Sequence, residues 1–494
     1  MDSNLLYNYL DTVPRDEQDL GALAFLAGVE CARLSEPMIA QSIVNELRDQ
    51  RSHLKLIASE NFSSLSVQAA MGNLLTDKYA EGIPQNRFYA GCANVDDIEE
   101  LARGLACRLF GAEHAYVQPH SGADANMVAF LTLLSARVQR PLMEEFGEKD
   151  VNKLSREDFG AIRAACGRQR LMAMDLYSGG HLTHGYRHNF SSLLFDVYHY
   201  CVDSVTHLLD LDKIREQALE VRPFILLAGY SAYSRKINFA KMRDIAEEVG
   251  AVLMVDMAHF AGLVAGGVFT GDYNPIPHAH IVTTTTHKTL RGPRGGMVLC
   301  QKDLAEFLDR GCPAFLGGPL PHVIAAKAVA FREALQPSFK AYAVAVAENA
   351  SLLAQSLAEL GAEVVTGGTD NHLMLLDVGK AYGLTGRQAE SALRASGITL
   401  NRNALPFDAN GPWYTSGLRL GTPAVTSLGM SAPEMGLIAE IIHKILGNTA
   451  AGQAGGKPSK AAFYTAPEVS AWAKLQIEEL LKQFPLYPEI LIST

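Results

Sequence analysis

Cysteine is sparse in this chain: seven residues among 494, with no C-x-x-C pair. That spacing supports neither a zinc ribbon nor a disulfide framework. No uninterrupted apolar run reaches the ~18 residues of a membrane-spanning helix, so no membrane partner is expected. Positive charge is in deficit, with a net charge of −10. This argues against a nucleic-acid partner, although local basic pockets for small anions remain open. The first residues, MDSNLLYNYLDTVPRDEQ, carry acid where a secretory signal would carry cationic groups, which makes a cytoplasmic location the expectation. No internal repeat is visible. What is present, 48% hydrophobic and 19% charged residues, is the composition of a globular chain long enough for two or more domains.

Apolar periodicity divides the chain. Residues 1–56 read as a mostly helical arm, with QSIVNELRDQRSHLKLI near helical spacing. From 57 to 335, short apolar runs alternate with helical stretches. The expected strands are AYV (115–117), LMAM (171–174), FILLAG (224–229), VLMVD (252–256), IVTTTT (281–286) and MVLC (297–300). FAKMRDIAEEVGA (239–251) reads as a helix stopped by Gly250. This alternation predicts a parallel sheet with right-handed crossovers. Residues 336–494 begin with a long Ala-rich helix and read as a smaller α+β domain. Within it, GNTAAGQAGGKPSKAA (447–462) has the composition of a flexible linker.

Polar residues stand at the ends of several expected strands, where open α/β sheets bind ligands. Lys288 follows the threonine run in VTTTTHKTLRGPRGG. Desolvation near Arg291 and Arg294 would lower its pKa toward that of a nucleophilic amine; a plain surface lysine is the alternative. Asp256 ends VLMVD, with His259 three residues on; it suits a pyridinium nitrogen or a simple helix cap. Ser121 and Gly122, in VQPHSGADANMVAF, open a helix and suit a phosphate or an ordinary N-cap. His181 and His184, with His188 nearby, suggest a metal only weakly without an H-E-x-x-H signature; an imidazole stacked on a planar cofactor is the other use. LIASEN and KYAEGIPQNRFYAG hold Ser59, Glu60, Tyr79, Glu81, Arg87 and Tyr89. There Glu81 could act as a general acid/base, or the segment could be a solvated loop. Arg419 in TSGLRLGTP offers a planar fork for a carboxylate, or a structural ion pair.

Taken together, these segments resemble the serine hydroxymethyltransferases, pyridoxal-phosphate enzymes of the aspartate-aminotransferase-like fold. LIASEN, KYAEG, QPHSG, GGHLTHG, SAYS, VDMAH, VTTTTHKTL, GPRGG and TDNH stand in family order between about residues 50 and 447. The implied fold is α/β: a large three-layer domain on a mainly parallel, seven-stranded sheet, a smaller C-terminal α+β domain and a helical N-terminal arm. The implied reaction moves the hydroxymethyl carbon of serine to tetrahydrofolate, giving glycine and 5,10-methylenetetrahydrofolate. A folate-independent 3-hydroxy amino-acid aldolase or racemase of the same fold is the alternative.

The resemblance also implies roles. Lys288 holds pyridoxal 5'-phosphate covalently, Asp256 meets its ring nitrogen and His181 stacks on the ring. His259 and Ser231 lie near its phenolic oxygen. Ser121, Gly122, Ala123 and His287 receive its phosphate, with Tyr79, Gly317 and Gly318 contributing from a second subunit. Arg419 and Ser59 take the substrate carboxylate, Glu81, Tyr79 and Tyr89 serve the hydroxymethyl group, and Leu176, Gly180 and Asn403 contact the folate. No metal is implied, and sites shared between chains imply at least a homodimer. Five features depart from the family pattern: Ala123 in place of a serine, Phe88 in place of a tyrosine, a short 312–320 segment, an insertion near 135–170 and a longer N-terminal arm. The first three bear on cofactor retention and folate affinity; Ala123 and the short segment point to looser cofactor retention and some side chemistry on alanine, by slow racemisation or transamination.

Overall fold

The computed structural model describes residues 4–492. Seven strands form its main sheet: β1 (His114–Tyr116), β2 (Arg170–Met174), β3 (Asp196–Tyr200), β4 (Ile225–Gly229), β5 (Val252–Asp256), β6 (Ile281–Thr285) and β7 (Gly296–Cys300). Their order is β1-β7-β6-β5-β4-β2-β3. All neighbours pair in parallel except β7, which is antiparallel to both β1 and β6. The sheet is thus mainly parallel and seven-stranded, as expected. The sequence reading missed β3. DVYHY is only partly buried at the sheet edge, so it lacks the continuous apolar run that marks a strand covered on both faces.

Alternate side chains point to opposite faces of a strand, and here both faces are covered. Leu226, Ala228, Leu253, Val255 and Val282 join one core, shared with the helices Ala93–Phe110, Phe239–Val249 and Pro321–Ala334. Ile225, Leu227, Val252, Met254 and Ile281 join the other, against Val128, Ala129, Phe130 and Leu133 of the helix Gly122–Leu134. Each fully buried aliphatic side chain contributes roughly 1.5–3 kcal/mol, so the double coverage fixes the three layers. The helix Phe239–Val249 starts at Asn238, whose side chain accepts from the Lys241 N–H, and ends at the left-handed Gly250 as expected.

A third group of apolar residues surrounds a three-stranded antiparallel sheet of Leu373–Asp377, Gly417–Gly421 and Asn401–Asn403. The helix Pro337–Glu359 gives Phe339, Tyr342, Ala343 and Val346 to the large core. Farther along, it gives Ala350, Leu353, Ala354 and Leu357 to the smaller one. We propose that this helix is the joint between two domains, a few residues beyond the 335/336 boundary read from sequence. The arm comprises the helices Leu5–Thr12, Leu20–Ser35 and Pro37–Ser52. Its end is not helical: Leu54–Lys55 pairs in parallel with Ile398–Thr399, and Leu54 and Leu56 pack in the smaller core.

The expected flexible linker is instead a hairpin, Thr449–Ala454 with Lys457–Thr465. Gly455 and Gly456 both take positive φ, the requirement of a tight two-residue hairpin turn. Gln388 donates to the carbonyls of Ser459 and Ala462, both at 2.8 Å, which docks the hairpin on the helix Gly386–Ala395. Small residues that resemble a linker in composition here permit close backbone approach.

Gly229 shows how tightly the carboxyl edge of the sheet is built. Its φ is +131°, and an added Cβ would lie 2.1 Å from the Asp256 carbonyl oxygen. Gly229→Ala should therefore cost about 2 kcal/mol or more. The check is a lowered denaturant midpoint at unchanged slope. An unaltered midpoint would show that this edge can relax.

Candidate active site

Because β7 is antiparallel to both β1 and β6, the carboxyl ends of the other six strands open on one edge of the sheet. The chain leaving β1 carries Ser121, β2 leads to His181, β4 to Ser231, β5 ends at Asp256 and β6 leads to Lys288. Residues more than a hundred positions apart thereby meet.

Asp256 is 7% exposed and has three partners, which leave one of its about four acceptor sites open. Its Oδ2 accepts from Asn126 Nδ2 at 2.9 Å and lies 3.1 Å from His184 Nε2, while its Oδ1 accepts from the Ala258 N–H at 3.0 Å. Burial works to raise this carboxyl, but the bond and charge of His184, with His181 and Asn126, outweigh it and hold the group ionised well below the usual carboxylate range. Thr283 donates to Asn126 Oδ1 at 2.6 Å and Asn126 to Thr183 at 2.7 Å, so the donor set is itself braced. His181 Nδ1 lies 2.7 Å from the Thr183 hydroxyl. Burial pushes the His181 pKa down to about 4, so the ring is neutral at pH 7. The ligand atoms of His181, His184 and Asp256 lie within 4.8 Å of one another. The carboxylate that the histidine segment lacked in sequence is thus supplied by the fold, and its hydrogen bonds already account for it.

Lys288 Nζ donates to Thr285 Oγ1 at 3.1 Å. Burial, then Arg419 and Arg294, outweigh the opposing pull of Asp256 and lower its pKa to about 8. Arg291 does not take the part expected of it. Its guanidinium lies over the Tyr342 ring, 4.8 Å from the centroid. Arg419 Nη1 donates to the Ser231 carbonyl at 2.7 Å and its Nε to Asn401 Oδ1 at 3.2 Å; burial lowers its pKa to about 10. Ala58, next to Ser59, packs on the same strand, since a Cβ at Gly421 would lie 2.5 Å from Ala58 Cα.

Ser121 is indeed an N-cap: its hydroxyl accepts from the Asp124 N–H at 3.1 Å and opens the 13-residue helix Gly122–Leu134. His287 sits near the Gly295 N–H, with its pKa lowered to about 3 by burial and then by Lys288 and Arg294. Gly180 folds back over the end of β2, its N–H donating to the Asp175 carbonyl at 2.9 Å. Leu176, His181 and His184 line a cavity of about 600 Å³. Asn403 ends its strand with Nδ2 on the Ala404 carbonyl.

Tyr79, Tyr89 and Gly318 gather separately. The two rings are 4.7 Å apart, and a Cβ at Gly318 would meet the Tyr79 ring at 3.3 Å. Tyr79 is 55% exposed. The Glu81 loop is pinned by Arg87, which donates to the Ala80 and Gly82 carbonyls and to Asp96 and Glu99.

A family model for serine hydroxymethyltransferase matches residues 33–143 and 159–442. The chain belongs to the serine hydroxymethyltransferase family. Curated proteins named serine hydroxymethyltransferase are similar over nearly the whole chain. The one from Treponema pallidum is 58% identical, covering 99% of this chain and 85% of that protein. The one from Cutibacterium acnes is 55% identical, covering 97% and 98%. The one from Salinispora tropica is 55% identical, covering 94% and 98%. The break in the family match falls inside the expected insertion.

Three positions escaped the sequence reading although they lie in quoted motifs. Asn126 is a fully buried amide amid apolar neighbours, which is itself a signal that it serves a polar partner. Asn61 donates to the Lys288 carbonyl at 2.9 Å and to the Tyr342 hydroxyl at 2.7 Å. His372 stacks on His259 with ring centroids 5.4 Å apart, its Nε2 lying 3.2 Å from His259 Nδ1.

Both rings of that pair are fully buried and held neutral: burial and nearby cations push His259 well below its ordinary value and His372 to about 3. On unfolding they would bind protons below pH ~6.5. Stability should thus be intact above that pH and fall as pH drops toward 3, by up to ~1.4 kcal/mol per pH unit for each ring. Urea unfolding of the cofactor-free protein between pH 7.5 and 5.5 measures this, and His372→Asn should show a shallower slope. Equal slopes would remove His372 from the account.

Proposed function

We propose that this chain converts serine to glycine by passing the hydroxymethyl carbon to tetrahydrofolate, with pyridoxal 5'-phosphate bound at Lys288. The observation that carries the reading is a buried, ionised Asp256 within electrostatic reach of a partly buried Lys288, which donates to Thr285 and whose pKa is lowered to about 8. The donor chemistry fits the cofactor. An ionised carboxylate is the partner a protonated ring nitrogen needs, an amine near neutrality can attack an aldehyde, and the Ser121–Gly122 helix start suits a phosphate. When bound, the cofactor supplies the electron sink that lets the Cα–Cβ bond of serine break.

The chain's residues would do the rest. Asp256 keeps the proton on the ring nitrogen, and the neutral His181 covers the ring without adding a competing charge. His259 and Ser231 meet the phenolic oxygen. Ser121, Gly122, Ala123 and His287 receive the phosphate. Arg419, with Ser59, holds the substrate carboxylate and so fixes which bond stands over the ring. Glu81 moves a proton at the substrate hydroxyl, beside Tyr89. Leu176, Gly180 and Asn403 border the folate. Tyr79, Gly317 and Gly318 would complete the site of a second copy, which makes the working unit at least a homodimer; the half-exposed tyrosine cluster supports that reading. Among the described residues no helix is long and apolar enough to cross a membrane.

Borohydride reduction of the cofactor-loaded protein, followed by peptide mapping, should place the pyridoxyl group on Lys288. Lys288→Ala should lose that label and rapid turnover while remaining folded. A label on another lysine would overturn the assignment.

Arg419→Ala should raise the Michaelis constant for serine by ~30-fold or more while leaving pyridoxal-phosphate affinity nearly unchanged, since a buried charged pair loses one side. An unaltered constant for serine would count against this role. Glu81→Gln should lower folate-dependent serine cleavage by ~10²–10⁴-fold and spare proton exchange at the glycine Cα. Equal damage to both activities would make Glu81 structural.

A further inference from the structure

Lys327, on the helix Pro321–Ala334, is a charged side chain that the chemistry above does not use. It is 1% exposed. Its Nζ donates to the carbonyls of Val117 at 2.6 Å, Pro119 at 3.0 Å and Gly296 at 2.8 Å. An ammonium has three donors, and each here meets a main-chain oxygen. Two of the acceptors lie on the segment running into Ser121. The third lies on the segment leaving the Lys288 loop.

Those segments are the two sides of the Ser121–Gly122 anion cradle, and they touch without slack. The Gly296 N–H donates to the Pro119 carbonyl at 3.0 Å. A Cβ at Gly296 would lie 2.1 Å from the Ser121 carbonyl oxygen, and one at Gly295 would lie 2.6 Å from Lys327 Cε. We propose that Lys327 is a positioning residue for the phosphate of the bound cofactor, holding both sides of the cradle through their carbonyls and adding a titratable cation to its wall. This rests on the proposed use of pyridoxal phosphate.

Burial lowers the Lys327 pKa to about 7, against the opposing pull of Glu99 and Asp124. The charged and titratable groups facing it are Glu99 on the helix Ala93–Phe110, itself bonded to Arg87 and Gln118, Asp124 on the helix Gly122–Leu134, and His287, which is neutral here. A phosphate bound above would hold the proton on Lys327. Affinity for the phosphate should then fall as pH rises past 7, by up to about tenfold per pH unit for one linked proton. Pyridoxal lacks the phosphate but shares the reaction with Lys288. The ratio of its dissociation constant to that of pyridoxal phosphate therefore cancels the titration of Lys288.

The experiment measures that ratio on the full-length protein from pH 6.5 to 8.5, in the native chain and in Lys327→Met, a near-isosteric change that removes the charge. The native ratio should fall with pH. In Lys327→Met it should be about 10-fold smaller at pH 7, the size of the loss of one nearby charge, and nearly flat. A flat native ratio overturns the proposal, and it does so even if Lys327→Met fails to fold. A folded Lys327→Met with the native ratio also overturns it and leaves the lysine a purely structural role. Failure of the native protein to bind pyridoxal phosphate at all would instead defeat the proposed function, and this inference with it.

Discussion

A carboxylate at the end of a fully buried strand is tolerable only if donors are arranged around it, and Asp256 organises the interior for this reason. Its partners come from three connections: Asn126 from the helix after β1, His184 from the turn after β2, and the Ala258 N–H from its own strand's exit. Each must arrive in register for the charge to persist. The same strand end leaves no room beside it, as Gly229 shows. The requirements of one buried charge thus align three of the loops at the carboxyl edge.

Burial also acts on the cations of the interior. Lys288, Arg419 and Lys327 all have pKa values lowered chiefly by burial. Burial, and after it the nearby positive groups, keeps His181, His259 and His287 neutral. Neutral rings can stack and accept hydrogen bonds without competing with Asp256 for the charge placed on a ligand.

The two apolar cores meet along the helix Pro337–Glu359, and Lys288 is anchored near where they meet. Asn61 holds the Lys288 carbonyl and is itself held by Ser427 at 2.6 Å. Arg419 reaches from the smaller sheet to the Ser231 carbonyl beyond β4. Groups at the carboxyl edge of the sheet thus come from both cores, so a small change in their relative placement would alter the candidate site before it altered the folding of either.

The sequence alone determined most of what local chemistry decides. Continuous apolar runs marked the six strands that are buried, Asn238 and Gly250 bounded their helix, and the spaced motifs carried the family. Lys288 and Asp256 stood out at the ends of expected strands, Ser121 at a strand-to-helix junction and Arg419 between apolar neighbours. What only the tertiary structure decided concerns partners distant in sequence. The edge strand Asp196–Tyr200 pairs without a covered outer face, and a glycine- and alanine-rich stretch becomes a hairpin because the helix Gly386–Ala395 offers Gln388 to its carbonyls. Arg291 turns to Tyr342 while Arg294 acts on Lys288, a choice that loop geometry makes and spacing does not. Asn126 gains meaning only when a segment 130 positions away brings it a carboxylate, and Lys327 when segments about 210 and 31 positions away bring it three carbonyls. Burial sets their energies, and burial belongs to the packed chain.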